Sequence, residues 1–162
     1  MSRWLAVIGI MLSMTLMGCD STSTAMPETT ALGQSLPISA QFAVGSRIVG
    51  LEVAKTAAQQ ATGLMYRTSL AGDRGMLFEF NPPQSVRFWM KDVVIPLDII
   101  FVNDGKVKAI LAAVPPCNTT PCPTYGPGIP IDRVIELRGG RAKELGLNVG
   151  APIDIKFLPV KK

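Results

Sequence analysis

The sequence contains no histidine. That absence removes Ser-His-Asp and Cys-His catalysis, metal sites built on imidazole, and the commonest general base near neutral pH. Any enzymatic chemistry must run on Asp, Glu, Lys, Tyr or Cys. Cysteine is nearly as scarce, with only Cys19, Cys117 and Cys122. A structural zinc site needs four ligands, so neither a metal nor another cofactor is expected. No glycine-rich phosphate loop is present: Gly139-Gly140 is an isolated pair, and Gly146 and Gly150 lack the strand–loop–helix context. No basic run or stripe occurs either. The net charge is +4, or +3 (4 − 1) once Arg3, in a segment expected to be cleaved, is subtracted. Basic residues mixed with acids suit a soluble surface and argue against a nucleic-acid partner.

What is present begins with an address. Arg3 is followed by an apolar run from Trp4 to Leu16, too short for a comfortable membrane span and of the length of a signal-peptide core. The run closes on Leu16-Met17-Gly18-Cys19, which resembles a bacterial lipobox; Met17 departs from the small residue usual there. Residues 1–18 are therefore read as a lipoprotein signal peptide, and Cys19 as an acylated first residue whose membrane-lipid partner anchors the protein without a span. The expected location is the bacterial cell envelope, facing the periplasm or exterior. Four of the eight methionines (Met1, Met11, Met14 and Met17) belong to this segment, which discounts a methionine-based copper site. Met65, Met76 and Met90 read as core fillers.

Residues 19–46 are rich in Ser, Thr, Ala, Pro and Gln without a period, and read as a flexible linker; Gln41 to Val44 either pair as a strand or trail. The folded domain is expected over residues 47–160 of the 162. Within it short strands dominate. Ile48–Ala54 alternates, Thr56 caps a short helix over Ala57 to about Met65, and Gly75–Phe80 is a strand ended by Asn81-Pro82-Pro83. In Ser85–Lys91 the pleat places Val86, Phe88 and Met90 on one face and Arg87, Trp89 and Lys91 on the other. Leu97–Val102 is apolar on both faces and so central; Asn103-Asp104-Gly105 turns it into Lys106–Val114. Asp132–Leu137 and Pro152–Leu158 add strands, and Gly140–Leu145 a second short helix closed by Gly146. No βαβ rhythm is evident. The fold class expected is mainly β, an antiparallel barrel or sandwich with two short helices.

Several of these segments, in this order, resemble the signature of the DUF192 family: Gly63-Leu64-Met65-Tyr66-Arg67, Gly75-Met76-Leu77-Phe78, Phe88-Trp89-Met90-Lys91 and Ile95-Pro96-Leu97-Asp98-Ile99-Ile100-Phe101. Pro116-Cys117, Pro121-Cys122-Pro123, Tyr125-Gly126 and Gly140-Arg141-Ala142 continue it, so the resemblance covers about residues 48–158. It implies a mainly-β domain common among secreted or lipid-anchored envelope proteins. It implies no reaction and no catalytic residue.

Cys117 and Cys122 sit in a Pro-rich segment that opposes a helix, with a spacing longer than the Cys-x-x-Cys of redox motifs. In an oxidising compartment they read as a disulfide staple. The candidate ligand-binding residues are Trp89 with Arg87 and Lys91, together with Asp98 and Tyr125. A tryptophan beside cations suits a ligand with apolar faces and acidic or hydroxyl groups, or else a core anchor on which the cations stack. Asp98, inside an apolar run, needs a partner such as Arg67, Arg74 or Lys91, and is either a buried turn anchor or a group with a shifted pKa. The function expected is a lipid-anchored module binding an envelope glycan, peptide or protein. The alternatives are a histidine-free hydrolase or lyase pairing Asp98 with Glu79 or a lysine, and a structural assembly factor with an apolar patch.

Overall fold

Apolar residues at every second position, and in two segments at nearly every position, build a seven-stranded sheet. The computed structural model describes residues 33–159; Cys19, the signal segment and most of the expected linker lie outside the described residues. β1 (Ile38–Val44) and β2 (Arg47–Ala54) form a hairpin. α1 (Ala57–Thr62) then leads to β3 (Arg74–Ser85), which pairs with β2 in parallel. β4 (Phe88–Trp89) is a short outlier. β5 (Leu97–Asn103) and β6 (Lys106–Val114) form the second hairpin. β7 (Thr124–Tyr125) pairs with β4, β8 (Pro130–Arg138) returns between β5 and β3, and α2 (Arg141–Leu145) and β9 (Ile155–Phe157) close the chain. The large sheet runs β6-β5-β8-β3-β2-β1-β9.

The mainly-β architecture with two short helices agrees with the expectation, and three details differ. The sheet is mixed and open, sandwich-like and not a closed barrel, because β2–α1–β3 is a parallel crossover. A six-residue helix followed by irregular chain carries too little 3.6-residue periodicity for the crossover to show in the sequence. Second, the folded unit reaches back before residue 47: β1 pairs with β2 on one side and β9 on the other. Third, β3 does not end at Asn81-Pro82-Pro83. Its ladder to β8 breaks after Glu79 and resumes at Gln84, so the prolines, which lack an N–H, fall where no ladder bond is required.

Both faces of the sheet are buried. Leu97–Val102 is buried at every position, and its side chains divide by parity. Ile100 and Val102 join Leu51, Leu77, Ile135, Leu137 and the inner face of α2 in one core. Ile99 and Phe101 join Met76, Phe78 and Val134 in another, roofed by Leu64, Val86, Met90 and Val93 from the loops around α1 and β4. The Asp104-Gly105 turn has left-handed φ at both residues, 52° and 61°, the geometry that Asp-Gly supplies at least strain. α1 carries a full capping box, with the Thr56 hydroxyl accepting from Gln59 N and the Gln59 side chain accepting from Thr56 N, each at 3.1 Å.

Candidate cleft between the first helix and the short aromatic ladder

The β4–β7 ladder sets its side chains by pleat. Phe88 lies opposite Tyr125 and Trp89 opposite Thr124. Phe88 turns inward, edge-on to Phe78 at 5.0 Å between ring centroids and to Phe101 at 6.2 Å. Tyr125, sharing the Phe88 side, packs half-buried against the same core. Trp89 turns outward and is 48% exposed, so it is not a core anchor. The Arg87 guanidinium donates to Thr124 Oγ1 at 2.7 Å and to its carbonyl at 3.0 Å, and Lys91 Nζ stands 5.5 Å from the Trp89 ring centroid. Trp89, Arg87 and Lys91 are therefore on one surface, as the alternation predicts. Tyr125 is on the other side of the ladder and does not reach it.

Asp98 also lies away from this surface. It is completely buried on the α2 side of the sheet, where its carboxylate accepts from three backbone N–H groups: Ala113 at 2.7 Å, Gly140 at 2.9 Å and Ala142 at 2.7 Å. None of the cationic partners considered for it makes the contact. It ties the end of β6 to the start of α2, and three of its roughly four acceptor positions are occupied. The Asp98–Glu79 pairing fails on register. Asp98 is opposite Leu137 and Glu79 opposite Arg133, four residues apart along β8, or about 13 Å. Glu79 instead faces Arg133 at 3.6 Å. A broad groove of about 490 Å³ overlies this region, lined by Leu70, Ile95, Pro96 and Ala113, but the carboxylate beneath it is already engaged.

The α1–β4 cleft is different. Its outer part, about 380 Å³, is bounded by Gln60, Phe78, Phe80, Arg87, Phe88 and Trp89. An inner recess of about 30 Å³ shares the Gln60, Phe78, Phe88 and Trp89 walls and ends on Glu136. Glu136 is 5% exposed. Burial pushes its pKa up to about 8, with no hydrogen bond or countercharge among the described residues to offset the desolvation. Glu52, one strand beyond Met76 in the same cross-strand row, shows the contrast. Burial alone would raise it, yet it lies below its ordinary value because Arg67 and Leu36 N hydrogen-bond its carboxylate and the charges of Arg67 and Arg74 favour ionisation.

Sequence reasoning named neither Glu136 nor Phe78 as a site residue. The signal was available: Glu136 is a carboxylate inside Val134-Ile135-Glu136-Leu137, a run apolar on both faces, which is the argument applied to Asp98. Cys117 and Cys122 are joined by a disulfide with Cα atoms 5.8 Å apart, in the loop that delivers β7 to β4. Closing so short a loop contributes about 2 kcal/mol in the chain-entropy account. Among the described residues no group of three or more His, Cys, Asp or Glu side chains is placed to hold a metal ion.

Two solved structures share this architecture. A crystal structure of a protein of unknown function from Novosphingobium aromaticivorans DSM 12444 is 33% identical, with a TM-score of 0.64, over 80% of this chain and 99% of that one. A protein from Sinorhizobium meliloti 1021, for which a role as a transcription regulator has been suggested, is 32% identical, with a TM-score of 0.62, over 73% of this chain and 91% of its own. No curated protein matches the sequence. The DUF192 model, described as an uncharacterized ACR, matches residues 40–155, from within β1 to the start of β9. With most of the described domain inside that match, the chain belongs to the DUF192 family.

Proposed function

We propose that this is a lipid-anchored envelope protein whose domain is a binding module for a small ligand, or the end of a larger one, held in the α1–β4 cleft. The observation that carries the reading is the convergence of an exposed Trp89, the Phe78–Phe88 wall and the buried, unpartnered Glu136 on one concavity. Exposed aromatic surface at the mouth, a few polar groups along the wall and one desolvated carboxyl at the end make up the usual composition of a ligand site. At the rim Arg87 supplies donors and the Gln60 amide oxygen an acceptor. The Gln60 amide is held by the carbonyls of Ala54 and Glu79 at 3.2 and 3.4 Å, which orients α1 against the sheet. A single carboxyl in the cleft does not make the acid–base pair of a glycosidase, and this favours binding over hydrolysis.

Lipid anchoring through Cys19 is the second half of the proposal, supported by the lipobox-like Leu16-Met17-Gly18-Cys19. Palmitate labelling of the wild type, absent from Cys19→Ala, is the expected result; equal labelling of both would remove the anchor. For the cleft, saturation-transfer NMR with chitotetraose and with tetra-alanine should show contact by at least one. Trp89→Ala should lose that contact while thermal stability changes by about 1 kcal/mol or less, the range for an exposed side chain. A collapse in stability would mean that Trp89 holds the domain together and would end the proposal.

A further inference from the structure

Resting on that reading of the cleft, the geometry points to a primary ammonium group as the part of the ligand that enters the inner recess, with Glu136 as its counter-ion and Trp89, Phe78 and Phe88 around its alkyl or ring stem. Three observations carry this. The recess offers about 30 Å³, room for a group the size of a water or an –NH3+ head and too little for a trimethylammonium. Its walls include three aromatic residues, Phe78, Phe88 and Trp89, and aromatic faces attract cations. Its end is a carboxyl nine-tenths buried and without a hydrogen bond among the described residues, the one titratable group lining the recess.

The charged groups around it leave this role free. Across Met76, Glu52 is neutralised by Arg67. Two residues along β8, Arg138 is bound to Glu144 at 2.6 Å. On the mouth side, Arg87 is held by Thr124 and Lys91 lies over the Trp89 ring, outside the recess. Arg74, two residues before Met76 on β3, acts on Glu52, and neither it nor any of these cations bonds Glu136, so an incoming ammonium would be its first partner among the described residues.

The empty site holds a proton on Glu136 at neutral pH, since burial lifts its pKa to about 8. Forming the ammonium–carboxylate pair requires that proton to leave. Binding therefore releases one proton from the Glu136 carboxyl to the buffer, and the amine keeps its own. Apparent affinity should rise about tenfold per pH unit below about pH 8 and level off above it.

The test uses the full chain in detergent micelles, titrated with n-pentylamine, 1-pentanol and trimethylpentylammonium from pH 6 to pH 9 by isothermal calorimetry and by the Trp89 indole resonance. Pentylamine is expected to bind at least tenfold more tightly than pentanol at pH 8, with affinity rising about tenfold from pH 6 to pH 7. Its heat should vary with buffer ionisation enthalpy by one proton. Trimethylpentylammonium should be at least tenfold weaker. Glu136→Gln, close in shape and checked by thermal melting, should lose both the pH dependence and the preference for the amine. Pentanol binding as tightly as pentylamine, an affinity flat with pH in the wild type, or an undiminished amine preference in Glu136→Gln would each overturn the assignment. If pentanol and pentylamine bind alike and the binding heats of both vanish in Trp89→Ala, the cleft stands and only the ammonium assignment falls. If both heats survive unchanged in Trp89→Ala, the cleft reading itself fails.

Discussion

Three buried carboxylates, Glu52, Asp98 and Glu136, share one sheet and meet three different fates. Asp98 is satisfied by backbone N–H groups, Glu52 by an arginine fork, and Glu136 by nothing among the described residues. Their pH signatures follow from linkage. Glu52 has a folded pKa below its unfolded value, so its contribution is present above about pH 4.5 and is lost as pH falls through the folded value. Glu136 runs the other way: its folded value of about 8 exceeds its unfolded 4.5, so the folded state binds more protons between them and stability declines as pH rises through that window. The decline is on the order of 5 kcal/mol if the whole shift is realised. Urea denaturation from pH 3 to pH 9 should show stability falling on the alkaline side, flattened in Glu136→Gln, and falling on the acid side, flattened in Glu52→Gln. A wild-type profile flat between pH 5 and pH 8 would contradict the burial of an unpartnered carboxyl. All three residues stand in apolar strands, and the logic that singled out Asp98 applied equally to the others. What a sequence cannot convey is the partner, because Arg67 and the α2 amides arrive from distant segments.

At the scale of elements, most strands were legible because two-residue alternation and Asp-Gly chemistry are local. The outer surface of β4 was legible for the same reason, so Trp89, Arg87 and Lys91 lie together as read. Tyr125 was misplaced because its side depends on a cross-strand register, Phe88 opposite Tyr125, set by a loop and a disulfide. The parallel β2–β3 pair was hidden by the shortness of α1. The ladder that carries Trp89 is only two residues long on each strand, and its position rests on close backbone contact. A Cβ placed on Gly126 would lie 2.3 Å from the Val86 carbonyl oxygen, with no flexible side chain to yield. Gly126→Ala is therefore expected to push β7 away from β4, cost about 1–3 kcal/mol, and move the Trp89 indole resonance. An unchanged indole resonance would show that the ladder does not position the cleft.

At the scale of the whole molecule, the folded unit is longer than composition suggests. Ser, Thr and Pro upstream of residue 47 read as linker, yet β1 supplies Ala40 and Phe42 to the core and pairs on both edges. A chain starting at residue 33 should melt cooperatively, whereas one starting at residue 47 should show no cooperative transition by circular dichroism. Equal melting of the two would make β1 dispensable. The start of this unit is itself pinned. The Gln34 side chain donates to the carbonyls of Gln59 and Gly63 at 2.7 and 2.9 Å, and the Gln34 carbonyl receives Arg67. Gly63 also lines the recess that ends on Glu136. The start of the folded unit and the recess thus have a wall in common. With the lipid anchor proposed above, a load on the chain before Gln34 would reach that wall through these two hydrogen bonds, and a ligand that stiffened the wall would stiffen the attachment in return.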